Sequence, residues 1–279
     1  MVYNLQDIFP DSMDWNGKLI REGSIVFKVG KIIEKFTYKN ADKIIVISND
    51  MKNNIIKKGV PVNKISVVSN WIDTKSVKPV AKENNYLFEK YGLSRGDFHV
   101  VYAGNLGYAQ NIEIIIQAAK RLENFNNIQF VIFGKGAQEE EYKKMAVELG
   151  IANLKFFPIQ PYSEVSYVYS LADVSIVSCK KGFGGSAMPS KTWSIMAAGT
   201  PVLASFDAGT DMQKIISSDH LGLFSDASNI EGLAENIKYL YLHKKQVEEM
   251  GGNARRYVEA NASRHSCTAR YIGIVNNVI

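Results

Sequence analysis

Long apolar runs are missing from this 279-residue sequence. No stretch approaches the roughly 18 apolar residues that a membrane-spanning helix needs, and the opening, MVYNLQDIFP, lacks the basic start and apolar core of a signal peptide. Cysteine is scarce as well. Cys179 and Cys267 cannot build a disulfide framework, and their spacing suits no metal site. These absences predict a cytoplasmic protein in which Cys179, at the end of an apolar run, is a buried thiol.

Residues with the spacing of a catalytic triad are missing too. None of the four histidines has a serine, cysteine or carboxylate at such a spacing, so we expect structural roles for His99, His220, His243 and His265. The acidic run Glu139-Glu140-Glu141 is typical of the first turn of a helix, where negative charge is favourable. The sequence therefore offers no acid/base pair, and the catalytic residues stay unassigned.

Positive charge is unevenly distributed along the chain. Residues 1–75 hold 12 Lys/Arg and 8 Asp/Glu, whereas the remainder holds 21 and 20. This excess is too weak for a nucleic-acid surface, so no nucleic-acid partner is predicted. It would suit contact between one end of the molecule and an anionic surface.

Apolar, β-branched segments alternate with amphipathic ones after residue 97, which predicts a parallel α/β sheet. We expect strands at 98–104, 128–134, 154–158, 174–178, 201–205 and 221–225, with helices near 110–123, 138–149, 162–171, 189–198, 210–218, 229–242, 245–260 and 263–278. This is a complete doubly wound domain over 97–260, followed by a closing helix over 261–279.

The first 75 residues supply only about three strands, including Ile44 to Ser48 and Ile65 to Ser69. A doubly wound domain needs five or six, so we expect residues 1–75 to be the C-terminal remnant of a Rossmann-like domain. The lysine-rich stretch that follows lacks periodicity and predicts a linker over 76–96. On this view a partner chain supplies the rest of the domain, or it has been removed.

The segment 26–39 predicts an amphipathic helix, with Val26, Val29, Ile33 and Phe36 on one face and Lys28, Lys31, Lys35 and Lys39 on another. Two interpretations stay open. The helix either lies on an anionic membrane surface, or it packs its apolar face on the sheet and leaves the lysines in water. We favour packing on the sheet, because the same apolar face cannot serve both.

Glycine-rich loops follow two of the predicted strands directly: Gly104-Asn105-Leu106-Gly107 and Gly134-Lys135-Gly136. Glycine at this position lets a phosphate approach the backbone, and both loops lie on the edge of the sheet where α/β proteins bind ligands. Neither loop has the dinucleotide pattern G-x-G-x-x-G or that of a P-loop. The alternative is that these glycines only make tight turns.

A third candidate segment, Met188-Pro189-Ser190-Lys191-Thr192, opens a helix at the same edge. Proline is favoured in the first helical turn, and a hydroxyl, an ammonium and free N–H groups together suit a diphosphate. The glycines at 182, 184 and 185 predict a flexible loop that folds over the ligand. The alternative is an ordinary helix cap with a solvated lysine.

Taken together, these segments resemble a known family. VYAGNLGYAQNIEIIIQAA, FVIFGKGAQEEEYKK and PSKTWSIMAAGTPVLAS, in this order, are similar to the donor-binding domain of retaining GT-B glycosyltransferases of family four. YNLQDIFPD and ADKIIVISNDMKNNIIKKGVPVNKISVVSNWID resemble the end of that family's N-terminal domain. The likeness is strongest to the branch that builds bacterial surface polysaccharides from UDP-linked sugars such as N-acetylfucosamine.

The resemblance implies retaining transfer from a UDP-sugar to a lipid-linked or polysaccharide acceptor in O-antigen or capsule biosynthesis, with peripheral contact with the inner membrane face and no metal or cofactor. It also implies that the closing helix packs back toward the first domain. Matching positions assign the donor diphosphate and nucleotide-sugar to Gly104, Asn105, Gly107, Gly134, Lys135, Gly136, Pro189, Ser190, Lys191 and Ser194, and the acceptor side to Asp7.

The sequence also departs from the family pattern. Asn105 and Gln110 stand where many members carry an Arg and a Lys, and Ser186 and Ser194 stand where many carry two glutamates. Two rival functions follow. One is a nucleotide-sugar-binding fragment or subunit that needs a partner chain for catalysis. The other is a sugar-nucleotide epimerase, which shares the two-domain architecture.

Overall fold

Two parallel sheets organise the computed structural model, which describes residues 1–8, 10, 23–186 and 188–278. The first sheet has the order β1-β2-β3, with β1 at Val2–Leu5, β2 at Lys43–Val46 and β3 at Ile65–Val67. Helix α1 (Ile25–Asn40) precedes β2, and α2 (Asn49–Lys57) follows it. Of the segment YNLQDIFPD, Phe9 and Asp11 lie outside the described residues.

The second sheet has six parallel strands in the order β6-β5-β4-β7-β8-β9. The strands are β4 Phe98–Asn105, β5 Ile128–Lys135, β6 Leu154–Phe157, β7 Val174–Ser178, β8 Val202–Phe206 and β9 Gly222–Asp226. In order of appearance this is 3-2-1-4-5-6, so the chain reverses direction across the sheet between β4 and β7. Ligands of such sheets bind outside the carboxyl ends of the strands at this reversal.

Helices cover the second sheet and close the chain. They are α3 Leu87–Lys90, α4 Ile112–Arg121, α5 Glu139–Glu148, α6 Val165–Ser170, α7 Lys191–Ala197, α8 Asp211–Ser218, α9 Ile230–Leu242, α10 Lys244–Asn261 and α11 Arg264–Asn276. The predicted α/β class and doubly wound parallel sheet are confirmed. The strands lie within two residues of their predicted bounds because strands buried on both faces read as continuous apolar runs.

The segment between the two sheets is packed against its surroundings rather than free. The Arg255 guanidinium donates to the carbonyls of Thr74 and Val77, each at 2.9 Å. Leu87 and Phe88 of α3 are fully buried. The linker over 76–96 stays a prediction, and within it the structure has the short helix α3. A four-residue helix is too short to show helical periodicity, so the pattern that identified the longer helices could not find it.

The first sheet also contacts the end of the chain. On α11, Cys267 is buried and packs with Ile45 of β2 and Val68, and the Tyr271 hydroxyl lies 3.4 Å from Asn4 Oδ1. The closing helix thus lies against the first sheet.

A second connection joins two helix N-termini. The Asp211 carboxylate at the start of α8 accepts from the backbone N–H of Asn49, and the Asp211 N–H donates to Asp50 Oδ2 at 2.7 Å. Each helix start is thus capped by a carboxylate of the other.

Helix α1 lies on the first sheet in the opposite orientation from the one we favoured. Its buried positions are Gly30, Glu34 and Tyr38, and its apolar face is exposed. The physical reason is that the Glu34 carboxylate is paired within the protein: it accepts from the ammonium groups of Lys31 and Lys58 and from the Tyr38 hydroxyl. Neither α1 nor any other helix among the described residues is long and apolar enough to span a membrane.

Candidate functional site

The two glycine loops meet at the carboxyl edge of the second sheet. Gly104 of β4 lies opposite Gly134 of β5. Leu106 joins the loops: its N–H donates to the Lys135 carbonyl at 3.0 Å, and its carbonyl accepts from the Gln138 N–H at 3.0 Å. Both predicted loops therefore lie side by side at the point where the strand order reverses.

Packing between the loops explains the glycines of the second one. A Cβ atom on Gly134 would lie 2.6 Å from the Leu106 side chain, and one on Gly136 would lie 2.5 Å from the Leu106 carbonyl oxygen. Real Cβ atoms do not approach so closely, so any other residue would push the loops apart. For these two glycines the turn-and-packing alternative accounts for the residue type, and their contact with a nucleotide stays a prediction.

Gly104 has a different role, because it faces Lys191. Its φ of +142° lies in a region that favours glycine, and a Cβ atom here would lie 2.6 Å from Lys191 Nζ. Only a glycine at the end of β4 leaves room for the ammonium. The structure thus brings Gly104, Gly134 and Lys191, which are far apart in sequence, to one place on the sheet edge.

The Lys191 ammonium is enclosed and lacks a counter-ion. Its Nζ lies over the Tyr102 ring, 4.0 Å from the ring centroid. Burial lowers the pKa of Lys191 from 10.5 to about 7. Within the described ranges no carboxylate pairs with this ammonium. The alternative of a solvated lysine is therefore wrong, and the site holds a cation with no anion beside it.

The start of α7 differs in detail from the prediction. The helix begins at Lys191 and has seven residues, so Pro189 precedes the first turn instead of lying in it. The side chain of Ser190 makes no capping hydrogen bond and is exposed. The hydroxyl is therefore available to a ligand, while so short a helix contributes little dipole, so the charge of this site comes from Lys191.

Asp7, predicted on the acceptor side, lies across a cleft from the start of α7. The cleft has a volume of about 210 Å³ and is lined by Gln6, Asp7, Ile47, Asn70, Met188, Pro189 and Ser190. Residues from the first sheet and from the α7 segment thus share one cavity. Asp7 and Ser190 line the same cleft, and whether Asp7 contacts an acceptor stays a prediction.

Three predicted residues lie less centrally. Asn105 is exposed and its amide lies 3.4 Å from Gln110 Oε1, so the two neutral groups that replace the family's cations contact each other. Lys135 is exposed on the loop after β5. Ser194 lies one turn into α7, is half-buried, and does not line the cleft that contains Ser190.

The loop before α7 is held by a carboxylate. Asp207, just after β8, accepts from the backbone N–H groups of Gly182 and Gly184 at 2.8 to 2.9 Å. A Cβ atom on Gly184 would lie 2.9 Å from the Phe206 ring. These contacts fix part of the segment that we expected to be a flexible cover.

Sequence reasoning missed Tyr102, Leu106 and Asp207. The signal for Tyr102 was present, since side chains two apart on a strand point to the same face and Tyr102 is two residues before Gly104. Leu106 is the apolar residue of the first glycine loop, and an apolar side chain in such a loop indicates that it packs against a neighbouring segment. Asp207 carries no comparable signal, because its partners are backbone groups 25 and 23 residues away.

His99 is structural, as predicted. It is fully buried in β4 with its ring 5.4 Å from the Phe88 ring, and burial lowers its pKa to about 4. Glu139 begins α5 and pairs with Lys143, as expected of a first-turn carboxylate. The described side chains form no group of three or more His, Cys, Asp or Glu that could hold a metal.

Comparison with known proteins gives the family. A family model described as "Glycosyl transferases group 1" matches residues 84–257, and one described as "Glycosyltransferase Family 4" matches residues 17–76. The chain belongs to the glycosyl transferases group 1 family. The matched range contains both glycine loops and Lys191, so the candidate site lies within the part that defines this family.

Two curated relatives are similar over nearly the whole chain. The probable glycosyltransferase WbjE of Pseudomonas aeruginosa is 27% identical over 275 residues, which are 99% of this chain and 68% of WbjE. The putative colanic acid biosynthesis glycosyl transferase WcaI of Escherichia coli K12 is 26% identical over 274 residues, which are 97% of this chain and 66% of WcaI. This group 1 chain thus spans about two thirds of the length of these relatives.

Solved structures agree on the fold. HepE from Anabaena, in complex with UDP, gives a TM-score of 0.82 at 15% identity and covers 99% of this chain and 72% of HepE. HepE in complex with UDP-glucose gives 0.81 with the same identity and coverage. This group 1 chain therefore has the GT-B fold, and its described residues form one six-stranded and one three-stranded parallel sheet.

Proposed function

We propose that this chain binds the diphosphate of a UDP-sugar at Lys191 and serves glycosyl transfer from that donor. The observation that carries the proposal is the enclosed ammonium beside Gly104 with no carboxylate partner among the described residues. An unpaired buried cation is costly to a folded protein. It is expected where a bound anion compensates for it, and perturbed lysines of this kind cluster at functional sites.

The chemistry follows from where charge develops. When the bond between the sugar and the diphosphate breaks, negative charge accumulates on the leaving diphosphate. A fixed ammonium next to that group stabilises the charge, and it does so more strongly in an enclosed site than in water. Lys191 would supply this stabilisation, Gly104 leaves room for it, and the exposed Ser190 hydroxyl is placed to donate to a phosphate or the sugar.

The choice of donor and acceptor is part of the proposal. A UDP-sugar is supported by the fold shared with HepE, whose structures hold UDP and UDP-glucose. A lipid-linked or polysaccharide acceptor in the assembly of a bacterial surface polysaccharide, such as O-antigen, capsule or lipopolysaccharide, is supported by the similarity to WcaI. We further propose retention at the sugar carbon, an acceptor beside Asp7, and no metal requirement, since the ammonium neutralises the leaving group.

Binding without transfer is a second candidate, and one observation favours it. Asn105 and Gln110 contact each other as neutral amides at the position where the family carries cations. A site whose first glycine loop carries no cation would bind the donor yet accelerate transfer weakly, unless a partner chain adds charge. This alternative predicts UDP-sugar binding with no product.

Calorimetry with UDP-glucose and other UDP-sugars tests the binding step. Lys191→Ala should weaken binding at least about a hundredfold, since hydrogen bonds to charged groups contribute roughly 1.5–3 kcal/mol and the ion pair adds to this. The matched control is Lys238→Ala, which removes a lysine lying 5.4 Å from the centroid of the Phe125 ring and should leave binding unchanged. Equal affinity in both variants would remove the basis of the proposal.

Transfer is tested separately. Radiolabelled UDP-sugars are incubated with the protein and a lipid extract, with and without EDTA, and the configuration of the product is read by NMR. A product formed in EDTA with the donor's configuration supports metal-free retention. Tight UDP-sugar binding without any product, with every donor tried, supports the binding alternative instead.

A further inference from the structure

Two buried tyrosine hydroxyls hold carbonyl groups of the first glycine loop, Gly104 to Gly107. Tyr102 donates to the Asn105 carbonyl at 2.7 Å, and Tyr142 on α5 donates to the Gly107 carbonyl at 3.2 Å. Both side chains are buried. A buried hydroxyl without a hydrogen-bond partner is costly, so each bond favours one fixed direction of the loop carbonyl that it holds.

The fixed carbonyls decide where the neighbouring N–H groups of the loop point. In a trans peptide unit the N–H of one residue points opposite to the carbonyl of the residue before it. The Gly107 carbonyl points to α5, so the Tyr108 N–H points away from α5. The Leu106 carbonyl accepts from the N–H of Gln138 just before α5, so the Gly107 N–H also points away from that helix. Two consecutive N–H groups therefore point to the side of the loop that lies away from α5.

These two N–H groups donate to no acceptor among the residues that the structure describes. Gly107 is buried, and a buried backbone N–H without an acceptor is rare, because its cost is comparable to that of a lost hydrogen bond. The enclosed Lys191 ammonium faces Gly104 at the start of the same loop. A cation and two unpaired N–H groups along one loop indicate a ligand that is anionic and has several oxygen atoms.

We propose that Tyr142 is a positioning residue for the donor diphosphate: its hydroxyl holds the Gly107 carbonyl against α5, so that the N–H groups of Gly107 and Tyr108 stay directed at the phosphate oxygens. Tyr102 has the same role for the Asn105 carbonyl, while its ring lies beneath the Lys191 ammonium. The inference rests on the proposed function, because it names the groups that orient the same binding site.

Glycine makes such a restraint necessary. Gly107 has no Cβ atom, so the peptide units on either side of it can rotate at little steric cost. Apart from Tyr142, the Gly107 carbonyl is held by the Gln110 N–H at the longer distance of 3.4 Å. A mobile N–H gives an anion less affinity than a fixed one, because binding must then also order it. Tyr142 thus strengthens diphosphate binding through the loop that it orients.

Calorimetry with UDP on the 279-residue chain tests this role. Tyr142→Phe removes only the hydroxyl, and we expect UDP binding to weaken about tenfold, toward the lower end of what a hydrogen bond to a charged group contributes. The matched control is Tyr38→Phe, which removes another buried hydroxyl, 3.1 Å from Glu34 Oε1 on α1, and should bind UDP as the parent does. Tyr102→Phe keeps the ring beneath Lys191 and should also weaken UDP binding, so it replaces Tyr142→Phe if that variant does not fold.

Uridine separates positioning from a general loss of structure, because it lacks the phosphates. Titrations followed by NMR should show that Tyr142→Phe binds uridine as the parent does. In the parent, UDP should shift the amide resonances of Gly107 and Tyr108, and these shifts should be much smaller in Tyr142→Phe. An equal fall in the affinities for UDP and uridine would show that Tyr142 only supports the fold, and would overturn the proposal.

The remaining outcomes separate this inference from the proposed function. If Tyr142→Phe binds UDP as tightly as Tyr38→Phe does while Lys191→Ala is impaired, the positioning role is refuted and the diphosphate site at Lys191 stands. If the parent does not bind UDP, or if Lys191→Ala binds it as tightly as the parent, the proposed function is refuted and the positioning role with it.

Discussion

Replacing Lys191 by methionine should stabilise the ligand-free protein while it abolishes donor binding. Burial lowers the pKa of Lys191 from 10.5 to about 7, which means that the folded state disfavours the charged lysine by a few kcal/mol. Methionine keeps the apolar length of the side chain and removes the charge, but it loses the contact with the Tyr102 ring. We therefore expect the free energy of unfolding at pH 6 to rise by about 2–3 kcal/mol.

The effect should depend on pH in a defined direction. Between pH 7 and 10.5 the unfolded chain binds the lysine proton and the folded state does not, so the stability of the parent protein rises with pH in this range. Below pH 7 both states are protonated and the full cost is present. The advantage of Lys191→Met should thus shrink by about 2–3 kcal/mol between pH 6 and pH 9.

Urea unfolding of the parent and variant at pH 6 and pH 9 measures both quantities. The control is Lys238→Met at the opposite edge of the sheet, which should show no pH-dependent difference from the parent. If Lys191→Met has the parent's stability at both pH values, the ammonium is not enclosed and the reasoning fails.

Three further predictions concern single contacts. Gly104→Ala should lower the free energy of unfolding by about 1–3 kcal/mol and weaken UDP-sugar binding, because the new Cβ atom displaces the Lys191 ammonium. Gly273→Ala, which has open space around it, should change neither quantity. Urea unfolding and calorimetry measure the two effects. Asp211→Ala removes the acceptor for the Asn49 N–H and should lower the unfolding free energy by about 1–2 kcal/mol, whereas the exposed Asp219→Ala should be neutral; equal values would refute the inter-sheet cap. Between pH 6.5 and pH 4 the parent should lose about 3 kcal/mol of unfolding free energy, because His99 is protonated only in the unfolded state in this range. His99→Phe should abolish this loss, and an unchanged pH profile in urea unfolding would contradict the reasoning.

The strands and helices of the second sheet could be predicted because each of them has a local sequence pattern. Buried strands such as Val174–Ser178 are short apolar runs, and the helices between them show one apolar face. Glycines at 104 and 134 mark strand ends, so their meeting at one edge follows from parallel pairing alone. Lys191 was identified because it begins a helix at that same edge.

What escaped prediction depends on partners distant in the chain. The orientation of α1 is decided by Glu34, whose burial requires Lys58 from the following helix. The pattern of α1 alone favours the opposite face. The enclosure of Lys191 likewise depends on Tyr102, 89 positions earlier, and neither residue has a sequence signal that names the other. Local periodicity therefore predicts the helices and strands, whereas the charges around the site can be identified only from the folded structure.

Proton uptake on donor binding tests the central claim most directly. Calorimetry of UDP-glucose binding at pH 8, repeated in buffers of different ionisation enthalpy, counts the protons taken up by the complex. If the diphosphate rests against the Lys191 ammonium, the pKa of this lysine rises on binding, and the parent protein should take up about 0.8–0.9 proton. Binding of UDP-glucose by the parent with no proton uptake would show that the ammonium does not hold the diphosphate.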